Sequence, residues 1–123
     1  MIVGLGTDLV DVPRFSKSIE NESFIRRVFS SAEIEYCNSV ANKAERFAAR
    51  FAAKEAFAKA LGTGFREGMA FKEVEVVNNE NGKPSIQLIG ATAKALSNVN
   101  MAKVLLTISH TTTMATATVI LQD

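Results

Sequence analysis

The chain has 123 residues, enough for one domain with a substantial core, and its 47% hydrophobic and 22% charged residues exclude a disordered polyelectrolyte. A net charge of +1 excludes nucleic-acid binding driven by overall charge, so attraction to an acidic partner must come from local patches. A single cysteine, Cys37, excludes an intramolecular disulfide, and no apolar run approaches the roughly 20 residues needed to span a bilayer.

Residues 2–10, with Ile2, Val3, Leu5, Leu9 and Val10, predict a strand whose Gly4 and Gly6 mark a close approach by another backbone or a ligand. The opening residues lack the basic start of a secretion signal, and Asp8 interrupts their apolar run, so a soluble cytoplasmic protein is expected. Pro13 suits the first turn of a short helix over 14–19. Phe24, Ile25, Val28 and Phe29 recur at helical spacing. Ser30 with Glu33 reads as a capping box opening a helix to about Ser39, in which Cys37 is a small apolar residue. The longest helix is predicted over 43–61, rich in alanine and stopped by Gly62-Thr63-Gly64. Alternation predicts a strand over 71–77, and the Asn81-Gly82 turn a return strand over 85–89. A short helix over 91–96 and strands over 103–109 and 115–121 complete the chain. The order predicts a single α+β domain over 1–123, with a mainly antiparallel sheet packed on one long and several short helices.

Three segments carry candidate chemistry. In the first strand, Asp8 shares a face with Gly6 and Val10; an acid flanked there by apolar residues needs a partner, a metal or an exposed position. In the long helix, Phe47, Phe51, Glu55 and Lys59 follow at steps of four, so Glu55 continues a line begun by two phenylalanines. Glu55 and Lys59 are also at the spacing of an ordinary surface ion pair. Arg46, Arg50 and Lys54 form a parallel basic row, either solvated or placed to meet phosphates. The third segment is Thr107-Ile108-Ser109-His110, holding the only histidine; neighbouring strand residues face opposite ways, so Ser109 and His110 are badly placed as nucleophile and base. No P-loop occurs, and one cysteine with one histidine cannot build a typical zinc site. A hard cation held by Asp8 and Glu55 and completed by substrate phosphates remains open.

The stretches Gly4-Leu5-Gly6-Thr7-Asp8-Leu9-Val10-Asp11-Val12-Pro13-Arg14 and Arg50 through Gly64 resemble the two signatures of the phosphopantetheinyl transferases. With Asn81-Gly82-Lys83-Pro84 and Ile108-Ser109-His110 they cover the chain, whose length resembles the short bacterial holo-acyl-carrier-protein synthases. The resemblance implies that family's fold, and transfer of the 4′-phosphopantetheine of coenzyme A to a serine of apo acyl carrier protein. Adenosine 3′,5′-bisphosphate would be released. It implies Mg²⁺ on Asp8 and Glu55, with Lys59 stabilising the leaving phosphates, and leaves Glu55 and a metal-bound water as alternative bases. Coenzyme A is expected on Arg50, Lys54, Lys59, the Gly62-Thr63-Gly64 turn, Lys83, Pro84, Ser109 and His110. The acidic carrier is expected on Arg14, Lys17, Arg26 and Arg27, in a homotrimer with sites between subunits. Thr111-Thr112-Thr113-Met114 departs from the acidic and aromatic residues of that family, and Pro13 is unusual in the first signature.

Overall fold

In the computed structural model, which describes all 123 residues, the chain runs β1 (Ile2–Asp11), α1 (Val12–Ser18), α2 (Glu22–Val28), α3 (Ser31–Asn38) and α4 (Lys43–Leu61). It continues through β2 (Val74–Asn78), β3 (Pro84–Leu88), α5 (Gly90–Ala95), β4 (Lys103–His110) and β5 (Met114–Gln122). The α+β class is borne out. The strands form two sheets: an antiparallel β1-β5-β4 sheet and a separate β2–β3 hairpin.

Helix α4 lies against the inner face of the larger sheet, and small residues set how close it comes. Seven of its alanines, Ala48, Ala49, Ala52, Ala53, Ala56, Ala58 and Ala60, are buried, as are Ala115 and Ala117 on β5. A Cβ on Gly6 would lie 2.6 Å from the Ala60 nitrogen and closer still to the Ala56 carbonyl, so only glycine allows β1 to touch the helix backbone there. Because side chains alternate along a strand, Asp8 follows Gly6 onto that inner face. The opposite face of the same sheet is open and apolar: Val3, Leu5, Leu9 and Leu105 are 46%, 66%, 64% and 42% exposed.

Local chemistry accounts for the helix starts. Asp11 caps α1 by accepting from the Arg14 nitrogen at 2.9 Å, with Pro13 in the first turn, so α1 begins slightly earlier than Pro13 alone suggested. The Ser30–Glu33 capping box is present, and Gly62 ends α4 in the left-handed conformation at φ 81°. Phe15, Phe24, Phe51 and Phe71 form a chain of ring contacts tying α1 and α2 to α4, with centroids 5.0–6.3 Å apart. The strand expected from Phe71 starts only at Val74; Phe71–Glu73 is a turn of 3-10 helix. There the Glu73 carboxylate accepts from the Ala91 and Thr92 nitrogens and the Thr92 hydroxyl, capping α5. Alternation could not reveal that long-range use of Glu73.

Candidate active site

Asp8 from β1 and Glu55 from α4 line one cleft of about 440 Å³, together with Leu9, Asp11, Arg14, Phe51 and Met114. Lys59, one turn beyond Glu55, donates to Asp8 Oδ1 at 3.0 Å and to the Thr7 carbonyl at 3.0 Å. It therefore pairs across to the strand, and the surface Glu55–Lys59 pair that the spacing allowed is not formed. Burial pushes the Glu55 carboxyl above the usual carboxylate range; the nearby Asp8 charge pushes the same way and Lys59 opposes it. Two hard oxygen donors repelling each other in a cleft fit a small divalent cation, whose remaining positions a phosphate-bearing ligand would fill. Within the chain there is no cluster of three or more His, Cys, Asp or Glu that could hold a metal ion unaided.

A second, smaller cavity of about 130 Å³ sits at the first turns of α4, under the β2–β3 turn and the end of β4. Arg46, Arg50, Gly82, Pro84 and His110 line it. Arg50 is 5% exposed, its guanidinium is centred 4.3 Å from the Tyr36 ring, and its Nε has no hydrogen-bond partner. A buried, charged donor without a partner is costly, and Arg50 carries that cost at the wall of this cavity. His110 Nδ1 lies 2.9 Å from Glu45 Oε1.

Lys54 requires a correction. It was expected on coenzyme A, but its side chain is fully buried and donates to Glu33 Oε1 at 2.8 Å and to the carbonyls of Phe71 and Val74 at 2.9 and 2.7 Å. All three ammonium donors are used, so none remains for a phosphate. Glu33 is equally buried and also accepts from the nitrogens of Ser30 and Val76. Burial pushes the Lys54 ammonium below the usual lysine range, and Glu33 opposes that push. The basic row of α4 is thus not a solvated face: Lys54 ties α3 and the start of β2 to the helix, while Arg50 lines a cavity.

The other expected residues divide by location. Ser109 is exposed, on the opposite side of β4 from His110, so the two do not share a cavity within one chain. Gly62, Thr63 and Gly64 follow the C-terminal end of α4 and line neither cavity. Lys83 is exposed in the hairpin turn. Arg14 lies in the Asp8–Glu55 cleft, and Lys17 and Arg27 line a neighbouring cleft with Phe24. Arg26 points elsewhere, paired with Glu22 at 3.1 Å and lining a groove with Lys72 and Ile89. Sequence reasoning missed Glu45, 65 positions from its histidine partner, because only the tertiary fold brings the two together.

A carboxylate pair on a glycine-cleared strand and an alanine-rich helix is the arrangement the two signatures implied. Residues 4–116 match the family model described as the 4′-phosphopantetheinyl transferase superfamily. The chain belongs to that family. It is 43% identical over 124 residues to the holo-[acyl-carrier-protein] synthase of Geotalea daltonii, covering 99% of each protein. Its fold superposes with a TM-score of 0.91 on the crystal structure of holo-[acyl-carrier-protein] synthase from Neisseria meningitidis, at 31% identity and full coverage of both chains. The Bacillus anthracis enzyme, solved in complex with CoA (3′,5′-ADP), superposes with a TM-score of 0.82 at 33% identity, over 98% of this chain and 96% of that one. The resemblance to the holo-acyl-carrier-protein synthases, and with it the phosphopantetheinyl transferase class, is borne out.

Proposed function

We propose that this single-domain protein transfers the 4′-phosphopantetheine of coenzyme A to a serine of apo acyl carrier protein, with Mg²⁺ as its metal. The observation that carries this reading is the facing pair Asp8 and Glu55, with Lys59 bonded to Asp8 and Arg14 in the same cleft. Asp8 and Glu55 would hold Mg²⁺, which when bound supplies charge neutralisation at the pyrophosphate. The serine oxygen forms a bond to the β-phosphorus, and the bond from that phosphorus to the oxygen of adenosine 3′,5′-bisphosphate breaks. The serine proton passes to a base, for which Glu55 is one candidate. Phosphoryl transfer of this kind depends on positioning and charge stabilisation more than on covalent help. Lys59 is 55% exposed beside Asp8, and we assign it to stabilise the charge that develops on the departing phosphate. Arg50, His110 and Pro84, with Lys83, Gly62, Thr63, Gly64 and Ser109 as outlying candidates, bind the rest of coenzyme A. Arg14, Lys17 and Arg27 receive the acidic carrier, with Arg26, turned to the groove it shares with Lys72, an outlying candidate.

The two cavities also favour a homotrimer with shared sites. Arg50 and Glu55 are five residues apart, about 140° around a helix of 3.6 residues per turn, so their cavities open on different sides of α4. Asp8 lies on the β1 edge of the sheet and His110 on the β4 edge. A head-to-tail ring brings the β1 edge of one subunit to the β4 edge of the next, uniting the halves, and the exposed Leu5, Leu9 and Leu105 give such a ring its apolar contact. No helix is long and apolar enough to cross a membrane.

The test is intact-mass spectrometry of an apo acyl carrier protein incubated with this protein, coenzyme A and Mg²⁺. A gain of one phosphopantetheine, absent when a chelator replaces the metal, is expected. A folded protein that binds coenzyme A but modifies none of several apo carriers would overturn the reading.

A further inference from the structure

His110 ends β4 with its ring turned inward, 22% exposed, and its Nδ1 lies 2.9 Å from a Glu45 carboxylate that is 17% exposed. A carboxylate can only accept, so the hydrogen bond places a proton on Nδ1. Nε2 is then the ring nitrogen without a partner in the chain. In the neutral ring it carries a lone pair, which repels a phosphate oxygen; protonated, it donates to one. The charged groups facing the ring are Glu45, Arg46 and Arg50, all from α4. The hairpin contributes only the uncharged Asn78, Gly82 and Pro84 to this cavity. Two arginines and one carboxylate leave the cavity with one surplus positive charge while the ring is neutral. A phosphomonoester dianion entering beside Arg50 reverses that sign, and one proton on the ring restores neutrality.

We propose that Glu45 is a positioning residue for phosphate capture: it pins the proton on His110 Nδ1, so that Nε2 takes up one solvent proton and donates to the phosphate as coenzyme A binds. The inference rests on the coenzyme A reading above and adds Glu45 to it. The balance is simple: neutral imidazole and one proton from solvent become imidazolium, and no other bond changes. Glu45 does not touch the reacting phosphorus, so its effect falls on coenzyme A affinity and on proton linkage rather than on turnover.

The chain has one histidine, so its ring nitrogens can be read without assignment in a long-range ¹⁵N–¹H spectrum. In the free wild-type protein above the range where the ring is charged, the Nδ1–H tautomer is expected; Glu45→Ala should shift it toward the Nε2–H form common in free histidine. Calorimetry of coenzyme A binding in two buffers of different ionisation enthalpy should show proton uptake for wild type near neutral pH. Glu45→Ala, which removes the acceptor, should lose that uptake and raise KM for coenzyme A about tenfold, as for loss of a charge-assisted hydrogen bond, with kcat and carrier KM nearly unchanged. Glu45→Gln, whose amide oxygen still accepts from Nδ1, should restore the Nδ1–H tautomer and the uptake. Wild type that modifies the carrier but binds coenzyme A without proton uptake overturns this inference and leaves the transferase reading standing. Wild type that does not bind coenzyme A overturns both. An Nε2–H tautomer in the free wild-type protein overturns the role of Glu45 whichever ligand binds.

Discussion

Replacing Lys54 by Met separates a structural role from a substrate-binding one. Methionine follows the same path with an unbranched apolar chain, so the volume is nearly kept and the three N–H donors and the charge are lost. What remains is a Glu33 carboxylate with no exposed surface, and carbonyls of Phe71 and Val74 that lose a donor. Breaking a buried pair from one side costs about 3–5 kcal/mol because the surviving charge is uncompensated. For a domain of this size that corresponds to roughly 12–20 °C in Tm. The assay is urea unfolding alongside coenzyme A binding at a temperature where the variant is still folded. Stability should fall by that amount while coenzyme A affinity of the folded protein changes little. Adding Glu33→Gln should recover part of the loss, since the two side chains form one network and their effects are not additive. A variant of near wild-type stability that has lost coenzyme A binding would refute the reasoning and return Lys54 to the substrate.

Gly6→Ala should cost about 1–3 kcal/mol of stability in thermal unfolding, because the new methyl group meets the backbone of Ala56 and Ala60 and must push β1 off α4. Asp8 moves with the strand, so kcat/KM should fall by about a hundredfold, the scale of an ångström's misplacement; wild-type activity would refute the close-contact account. Glu55→Gln should abolish transfer yet stabilise the metal-free protein. The folded value of Glu55 is raised, so the stability it confers is present below the ordinary carboxylate range and is lost as pH rises through the folded value. The variant's pH–stability profile, measured with chelator present, should therefore lack that loss, and an unchanged profile would contradict it. Leu5→Lys, at an exposed position in the single chain, should leave the subunit folded but dissociate the proposed ring in sedimentation, with transfer falling in step. A fully active monomer would show that each subunit carries a whole site.

Much of this protein was legible along the chain because its determinants are local. The capping box at Ser30 and Glu33, the glycine stop at Gly62 and the four-residue spacing of Phe51, Glu55 and Lys59 each act within a turn or two of helix. Alternation put Asp8 on the face of Gly6, and both line up against α4 as the pattern required. What the chain could not disclose was partnership across long separations. Lys54 sits in a row with two arginines, and only the arrival of Glu33, Phe71 and Val74 around it turns a candidate phosphate ligand into a buried tie. Glu73 looked like one tooth of an alternating strand until α5 came to rest on its carboxylate. Likewise Glu45 acquired its meaning from His110, which reaches it only because β4 pairs with β5 and ends above the first turns of α4. Helix caps and periodicities are properties of neighbouring residues, whereas the charge state and availability of a side chain depend on whatever the fold brings within a few ångströms of it.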